Sequence, residues 1–189
     1  MRVLMKVLPG LAMTALAVAP ILYAQAPPAA LPPEAAANPV VWSAKMLYGR
    51  ESKNMIGAAE EMPADKYSYH PTAGQWTFGK LVSHVAQSNG FLCGALSGTP
   101  APASLKVSED ASKDDLVTAL KASFDFCSLA LDGLTDAKLS DTVTLFRGAH
   151  MPRAAALLTL TADLPDHYSQ MASYLRLNGM LPPSAQPRK

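Results

Sequence analysis

The feature that most constrains the fold is a periodic row of apolar residues between positions 116 and 134. Successive members are separated by 4, 4, 3, 4 and 3 residues, which places them along one narrow face of an α-helix. Ser112 stands where an N-cap is expected, with Asp115 three residues later. A helix in a bundle buries a stripe of this width, so the row predicts helix packed against helix. Its members are Leu116, Leu120, Phe124, Cys127, Leu131 and Leu134.

Three further segments carry helical signals. The first runs from Val41 to Glu61, and the second from Phe78 to about Leu96 after an N-cap at Thr77. The third runs from about Arg153 to Asn178, where Gly179 and two following prolines end it. No segment shows a convincing strand alternation, so we predict an all-α four-helix bundle. In the first helix the expected inward stripe comprises Trp42, Met46, Ile56 and Ala59.

The N-terminal region resembles a secretory signal. Arg2 and Lys6 precede an uncharged run that ends near Ala24, and this is the layout of a signal peptide over residues 1–24. A retained membrane anchor is the alternative, but the run is shorter than the roughly 20 residues a spanning helix needs. The Pro- and Ala-rich residues 25–38 predict an extended linker, residues 39–183 the folded domain, and residues 184–189 a tail. We therefore expect an exported protein, periplasmic or extracellular, with no membrane span after cleavage.

Charge and cysteine content restrict the partners and the compartment. The chain has 189 residues and a formal net charge of +1, which becomes −1 when residues 1–24 are removed. It has no basic stripe, so binding to DNA or RNA is disfavoured. Outside the cytoplasm Cys93 and Cys127 could form a disulfide; the alternative is two buried thiols.

Two of the four histidines are predicted to point into the bundle. His84 follows Leu81 by three residues on the second helix, and His167 shares a face of the last helix with Leu160. Asp163 lies one turn before His167, so on a continuous helix both side chains face the same way. Two histidines and a carboxylate from facing helices make a set that can hold a divalent metal ion with open positions.

Pro165 supports a different interpretation of the same residues. A proline interrupts a helix interior, and Asp163 could then be the N-cap of a new helix and point away from His84. The inward histidines could also be merely hydrogen-bonded. His150 is expected at the far end of the bundle and His70 in a surface loop before the second helix.

Two stretches of the chain resemble the DinB-like (DinB/YfiT) superfamily. They are residues 61–86, which include Tyr69-His70-Pro71 and Trp76-Thr77-Phe78, and residues 167–179. The resemblance implies an up-up-down-down four-helix bundle, commonly dimeric, with a divalent metal such as zinc or nickel held by three histidines. Two of these match His84 and His167, and the third falls on Asp163. A Cys93–Cys127 bridge would then join the second and third helices.

The resemblance and the residues together define the functional expectations. Some members of the superfamily are thiol-dependent transferases, hydrolases or isomerases, so we expect a metal-dependent hydrolase or transferase acting on a small molecule. Gln170 and Tyr174 could orient a substrate, or they could simply pack in the core. The alternative function is a non-catalytic binding or structural bundle with a degenerate metal site.

Overall fold

The computed structural model describes residues 30–187, and the predicted signal peptide lies outside them. Within this range the chain is mostly helical, which confirms the all-α prediction. The helices are α1 (Pro33–Ala37), α2 (Pro39–Glu61), α3 (Phe78–Ser97), α4 (Lys113–Asp132) and α5 (Arg153–Leu177), and a small hairpin pairs β1 (Thr142–Thr144) with β2 (His150–Pro152).

The helix ends follow the local signals in the sequence. The Thr77 hydroxyl accepts a hydrogen bond from the backbone N–H of Lys80, and the Ser112 hydroxyl accepts one from that of Asp115. Each cap satisfies an N–H that has no partner within the helix. Gly98 closes α3 in the left-handed region, with φ of 75°, which costs glycine little.

The inward face of α2 matches the predicted one only in part, at Ala59, which is fully buried, and Ile56, which packs against the core. Val41, Tyr48 and Met55 are buried, whereas Met46 is 55% exposed and Trp42 is only half-buried. The polar residues of this helix include the consecutive run at 50–54, which surrounds the helix rather than lying on one side, so the pattern does not define a unique inward face. The buried side of α2 is set by its packing on α4 and α5.

The side-chain contacts fix the direction of each long helix. Asn89 donates to Ser123 and Cys93 is bonded to Cys127, so α3 and α4 run parallel. In contrast, α3 and α5 run antiparallel, because His84 faces His167 while Ser88 faces Asp163. The contacts of Tyr48 with Phe124 and of Lys45 with Asp132 make α2 antiparallel to α4.

The long helices α2 to α5 therefore run up, down, down and up, rather than in the expected up-up-down-down order. The physical reason is the connection at residues 98–112, which returns alongside α3 before α4 begins. Ser83 donates to the carbonyl of Val107, and Lys80 forms an ion pair with Glu109. This return lets α4 start at the same end of the bundle as α3.

The ends of the domain are more ordered than the sequence predicted. Within the predicted linker, Pro33–Ala37 is helical and Glu34 pairs with Lys45 of α2 at 3.2 Å. At the other end, the Tyr168 hydroxyl donates to Ser184 at 2.7 Å, so the folded part extends past residue 183. No helix within residues 30–187 has the length and hydropathy needed to cross a bilayer.

The disulfide between Cys93 and Cys127 ties the parallel pair α3 and α4, with a Cα–Cα distance of 5.1 Å. Both residues are fully buried. The bridge closes a loop of 34 residues, and constraint of the unfolded chain over such a loop is worth about 3–4 kcal/mol.

Replacement of both cysteines by alanine should lower the free energy of unfolding by about 3–4 kcal/mol. Urea denaturation followed by circular dichroism measures this change. The wild-type chain in reducing agent is the matched comparison and should approach the stability of the double variant. Equal stability of the oxidised and reduced wild-type chains would contradict the prediction.

Candidate metal centre

Three potential ligands converge where α3 packs against α5. His84 lies on α3, while Asp163 and His167 lie one turn apart on α5. One ligand atom from each of them lies within 4.8 Å of the others, and the two imidazole centroids are 4.7 Å apart. The predicted convergence of two histidines and a carboxylate is therefore present.

Asp163 faces the histidines because α5 is continuous through Pro165. The interpretation of Asp163 as the N-cap of a new helix is therefore wrong. One turn of unbroken helix puts the side chains of Asp163 and His167 on the same face. The Asp163 Oδ1 atom lies 3.3 Å from His167 Nε2.

Ser88 holds the other oxygen of this carboxylate. Its hydroxyl donates to Asp163 Oδ2 at 2.8 Å, across the interface between α3 and α5. Ser88 follows His84 by one turn of α3, so the same helix supplies a histidine and the partner that orients the carboxylate. The sequence reasoning missed Ser88, although its i+4 spacing from His84 was a usable signal.

Burial and neighbouring groups shift the pKa values of His84 and Asp163. Burial lowers the pKa of His84, and the adjacent His167 lowers it further. For Asp163, burial opposes ionisation most strongly, yet hydrogen bonds from His167 and Ser88 together hold its pKa below the usual value. Neutral imidazole and ionised carboxylate are the forms that ligate metals.

The residues present fit a divalent ion. His167 is only 7% exposed, and its Nε2 atom is the ring nitrogen turned toward Asp163, 3.3 Å from Oδ1. Two imidazoles and a carboxylate are donors that suit zinc and nickel.

Trp76 covers the histidine pair. Its ring centroid lies 4.8 Å from that of His84, and its plane is within 18° of the His167 ring at 6.2 Å. The buried Tyr174 hydroxyl donates to the Trp76 carbonyl at 2.9 Å and thereby fixes the loop that carries it. Sequence reasoning missed the role of Trp76, whose position just before the Thr77 cap shows only that it lies at the start of α3.

The other predicted site residues lie elsewhere or act indirectly. The Gln170 amide donates to Asp166 at 3.1 Å in an exposed pair, so its contact is outside the cluster. Tyr174 reaches the cluster only through the Trp76 backbone. The exposed His70 bonds the carbonyl of Thr72, and His150 lies in the hairpin strand β2.

The fold and the cluster define a class of protein, an all-helical bundle with a two-histidine, one-carboxylate centre between antiparallel helices. Residues 47–171 match the family model described as the DinB superfamily. The chain belongs to the DinB superfamily. No curated protein matches it.

Solved structures of similar fold agree with this membership. A DinB-like protein from Bacillus cereus has a TM-score of 0.58 and 20% identity, covering 75% of this chain and 95% of its own. A DinB-like protein from Bacillus subtilis has a TM-score of 0.61 and 21% identity, covering 80% and 100%. A mutant of the mycothiol-dependent maleylpyruvate isomerase has a TM-score of 0.57 and 16% identity, covering 69% of this chain and 60% of its own. At these identities the likeness shows the shared fold.

The hydrogen bond from Ser88 gives a prediction for metal affinity. In a Ser88→Ala variant, Asp163 loses its donor and the Kd for Ni²⁺ should rise about tenfold, as for other residues that orient a metal ligand. The measurement is quenching of Trp76 fluorescence by Ni²⁺ in a Trp42→Phe background, since Trp42 is the only other tryptophan. Ser169→Ala is the matched control, because that hydroxyl bonds only the Asp166 carbonyl on the outer face of α5. An unchanged Kd in Ser88→Ala would show that the carboxylate needs no orientation.

Proposed function

We propose that this protein binds one divalent metal ion through His84, His167 and Asp163 and acts on a small molecule as a metal-dependent hydrolase or transferase. The observation that carries the proposal is the convergence of these three ligand atoms within 4.8 Å, two of them on one face of an unbroken α5. Three protein ligands leave coordination positions open, which is the arrangement of a catalytic rather than a structural site.

A bound divalent ion would supply Lewis-acid polarisation to a substrate or a water molecule. The chain's own residues provide the rest of the environment. Trp76 shields the imidazoles from bulk water, and the Lys80 ammonium lies 5.5 Å from the centroid of the Trp76 ring. His84 is half-buried, so a small molecule can approach the centre from its side.

The chemistry of a solved relative supports a small-molecule reaction. The isomerase that shares this fold depends on mycothiol, a thiol. This precedent favours a reaction on a small organic molecule over a purely structural role. Low-molecular-weight thiols are scarce in an oxidising compartment, so water is the attacking group that agrees better with the proposed export.

Export to the periplasm or the outside of the cell is also part of the proposal. The Cys93–Cys127 disulfide supports it, because disulfides persist in oxidising compartments. A homodimer is proposed as the assembled form, and the exposed Val40, Leu47 and Leu158 beside one another on α2 and α5 support an interface there. N-terminal sequencing of the protein recovered from the cell envelope and light scattering of the purified chain test these two proposals.

Metal content tests the functional proposal directly. After saturation with Zn²⁺ and gel filtration, elemental analysis should give about one ion per chain, because one set of three ligands is present. His84→Ala, His167→Ala and Asp163→Asn should each retain far less. The matched controls are His150→Ala and Asp166→Asn, which replace an exposed histidine and an exposed carboxylate and should retain the wild-type amount.

Activity separates the enzyme from its alternative. The Zn²⁺-loaded chain should hydrolyse p-nitrophenyl esters with release of p-nitrophenolate, or catalyse attack of a thiol on an activated aryl halide with release of halide and a proton, and His84→Ala should do neither. A chain that holds the ion but turns over neither class of substrate would support the non-catalytic binding bundle. A chain that holds no ion would contradict the proposal as a whole.

A further inference from the structure

A cavity lies between α3 and the returning connection at residues 98–112. Its volume is about 560 Å³, which is within the range of small-molecule pockets. It shares no residue with the metal cluster. Its wall includes Gln87, Phe91, Pro102, Leu105, Lys106 and Val107.

One end of the cavity is apolar. Phe91 is 43% exposed there, and its ring centroid lies 5.0 Å from that of Phe146 in the hairpin turn. Gly90 lets the connection approach the helix, because a Cβ at this position would lie 3.1 Å from both Ala101 and Leu105. The aromatic ring of Phe91 and the neighbouring apolar side chains suit a flat or aliphatic apolar group.

The other end is polar and positively charged. The Gln87 amide donates to Ser83 Oγ at 2.9 Å and to the carbonyl of Val107 at 3.1 Å, which fixes its orientation. Lys106 is exposed and has no carboxylate within salt-bridge distance among residues 30–187. The two hydrogen bonds of Gln87 use both of its amide hydrogens, so the Lys106 ammonium is the group at this end that suits an anion.

The path of residues 98–112 places the polar end of the cavity on the side nearer the metal cluster. Because residues 98–112 run back along α3, Val107 lies beside Ser83, near the start of the helix. Gln87 follows His84 by three residues, and side chains at this spacing have Cβ atoms about 5–6 Å apart. Phe91 lies two turns from His84, or about 10 Å along the helix.

We infer that this cavity binds a small amphipathic organic anion. Its aryl or short acyl part packs against Phe91 and Leu105, and its charged group lies at Lys106, with the ligand oriented toward His84. The cavity itself is independent of the proposed function, whereas the assignment of this anion as the substrate of the metal centre rests on it. The substrate class is then an aryl or acyl carboxylate or sulfonate.

The probe for the test is 8-anilinonaphthalene-1-sulfonate, which combines aryl rings with an anionic group. The full chain, freed of metal with EDTA, should bind it saturably and increase its fluorescence. Phe91→Ala should raise the Kd about tenfold through loss of the aromatic contact. Lys106→Gln should raise it about fivefold through loss of the charge pair.

Two control variants remove equivalent groups outside the cavity. Leu129→Ala removes a side chain that is 74% exposed on α4, and Lys66→Gln removes an exposed lysine. Neither should change the Kd. Circular dichroism of all four variants checks that they are folded. Equal affinity of Phe91→Ala, Lys106→Gln and their controls would overturn the inference.

Addition of Ni²⁺ to the probe-saturated chain distinguishes this inference from the proposed function. Quenching of the bound probe in the wild type but not in His84→Ala would support a ligand that faces the metal centre. Binding of the probe by a chain that holds no ion would contradict the proposed function and leave the cavity assignment intact. Bound Ni²⁺ that leaves the probe's fluorescence unchanged would overturn the proposed orientation toward His84.

Discussion

The candidate site depends on α5 remaining helical across Pro165. A proline in a helix interior removes one backbone hydrogen bond and crowds the preceding turn, at a cost of about 3 kcal/mol. Pro165 lies on the exposed side of α5, where water can satisfy the carbonyl that has lost its donor. Leu164 and Tyr168, before and after the proline, are buried in the core, and this packing offsets the loss. Because the helix continues, Asp163 faces His167 and the contact with Ser88 can form.

The contact between Ser88 and Asp163 depends on the way in which the helices pack. The antiparallel pairing of α3 and α5 puts His84 opposite His167 and Ser88 opposite Asp163, so one register sets both the ligands and the hydrogen bond that orients one of them. The parallel pairing of α3 with α4 is fixed separately by the disulfide and by buried Asn89 and Ser123. It requires the return of residues 98–112 along α3, and this return forms one wall of the cavity beside Phe91. The metal cluster and the cavity are thus two consequences of how α3 is packed.

The sequence predicted the parts of this structure that depend on local signals. The caps at Thr77 and Ser112 locate the starts of α3 and α4, because each cap is a side chain adjacent to the backbone that it stabilises. The inward direction of His84 and His167 followed from their spacing to leucines on the same helix. The sequence did not decide whether Asp163 faces the histidines. The free energy that Pro165 costs the helix is a local effect, whereas the packing that offsets it comes from other helices.

Features that depend on tertiary packing were predicted less well. The helix directions were wrong because the connections at 62–77, 98–112 and 133–152 are all long, and length alone does not show which one crosses the bundle. Met46 of α2 was placed inward because its helix lacks a clear polar face. The covering Trp76 depends on a hydrogen bond from Tyr174, 98 residues away in the chain. A contact between such distant residues leaves no trace in local periodicity.

The most direct test of the metal centre is an anomalous difference map from crystals of the Zn²⁺-loaded chain, recorded at the zinc absorption edge. We expect one strong peak between α3 and α5, about 2.0–2.2 Å from a nitrogen of His84, a nitrogen of His167 and an oxygen of Asp163. The Ser88 hydroxyl should still donate to the second oxygen of Asp163 in that structure. A zinc-saturated crystal without a peak at this position, or with its only peak at other residues, would contradict the account.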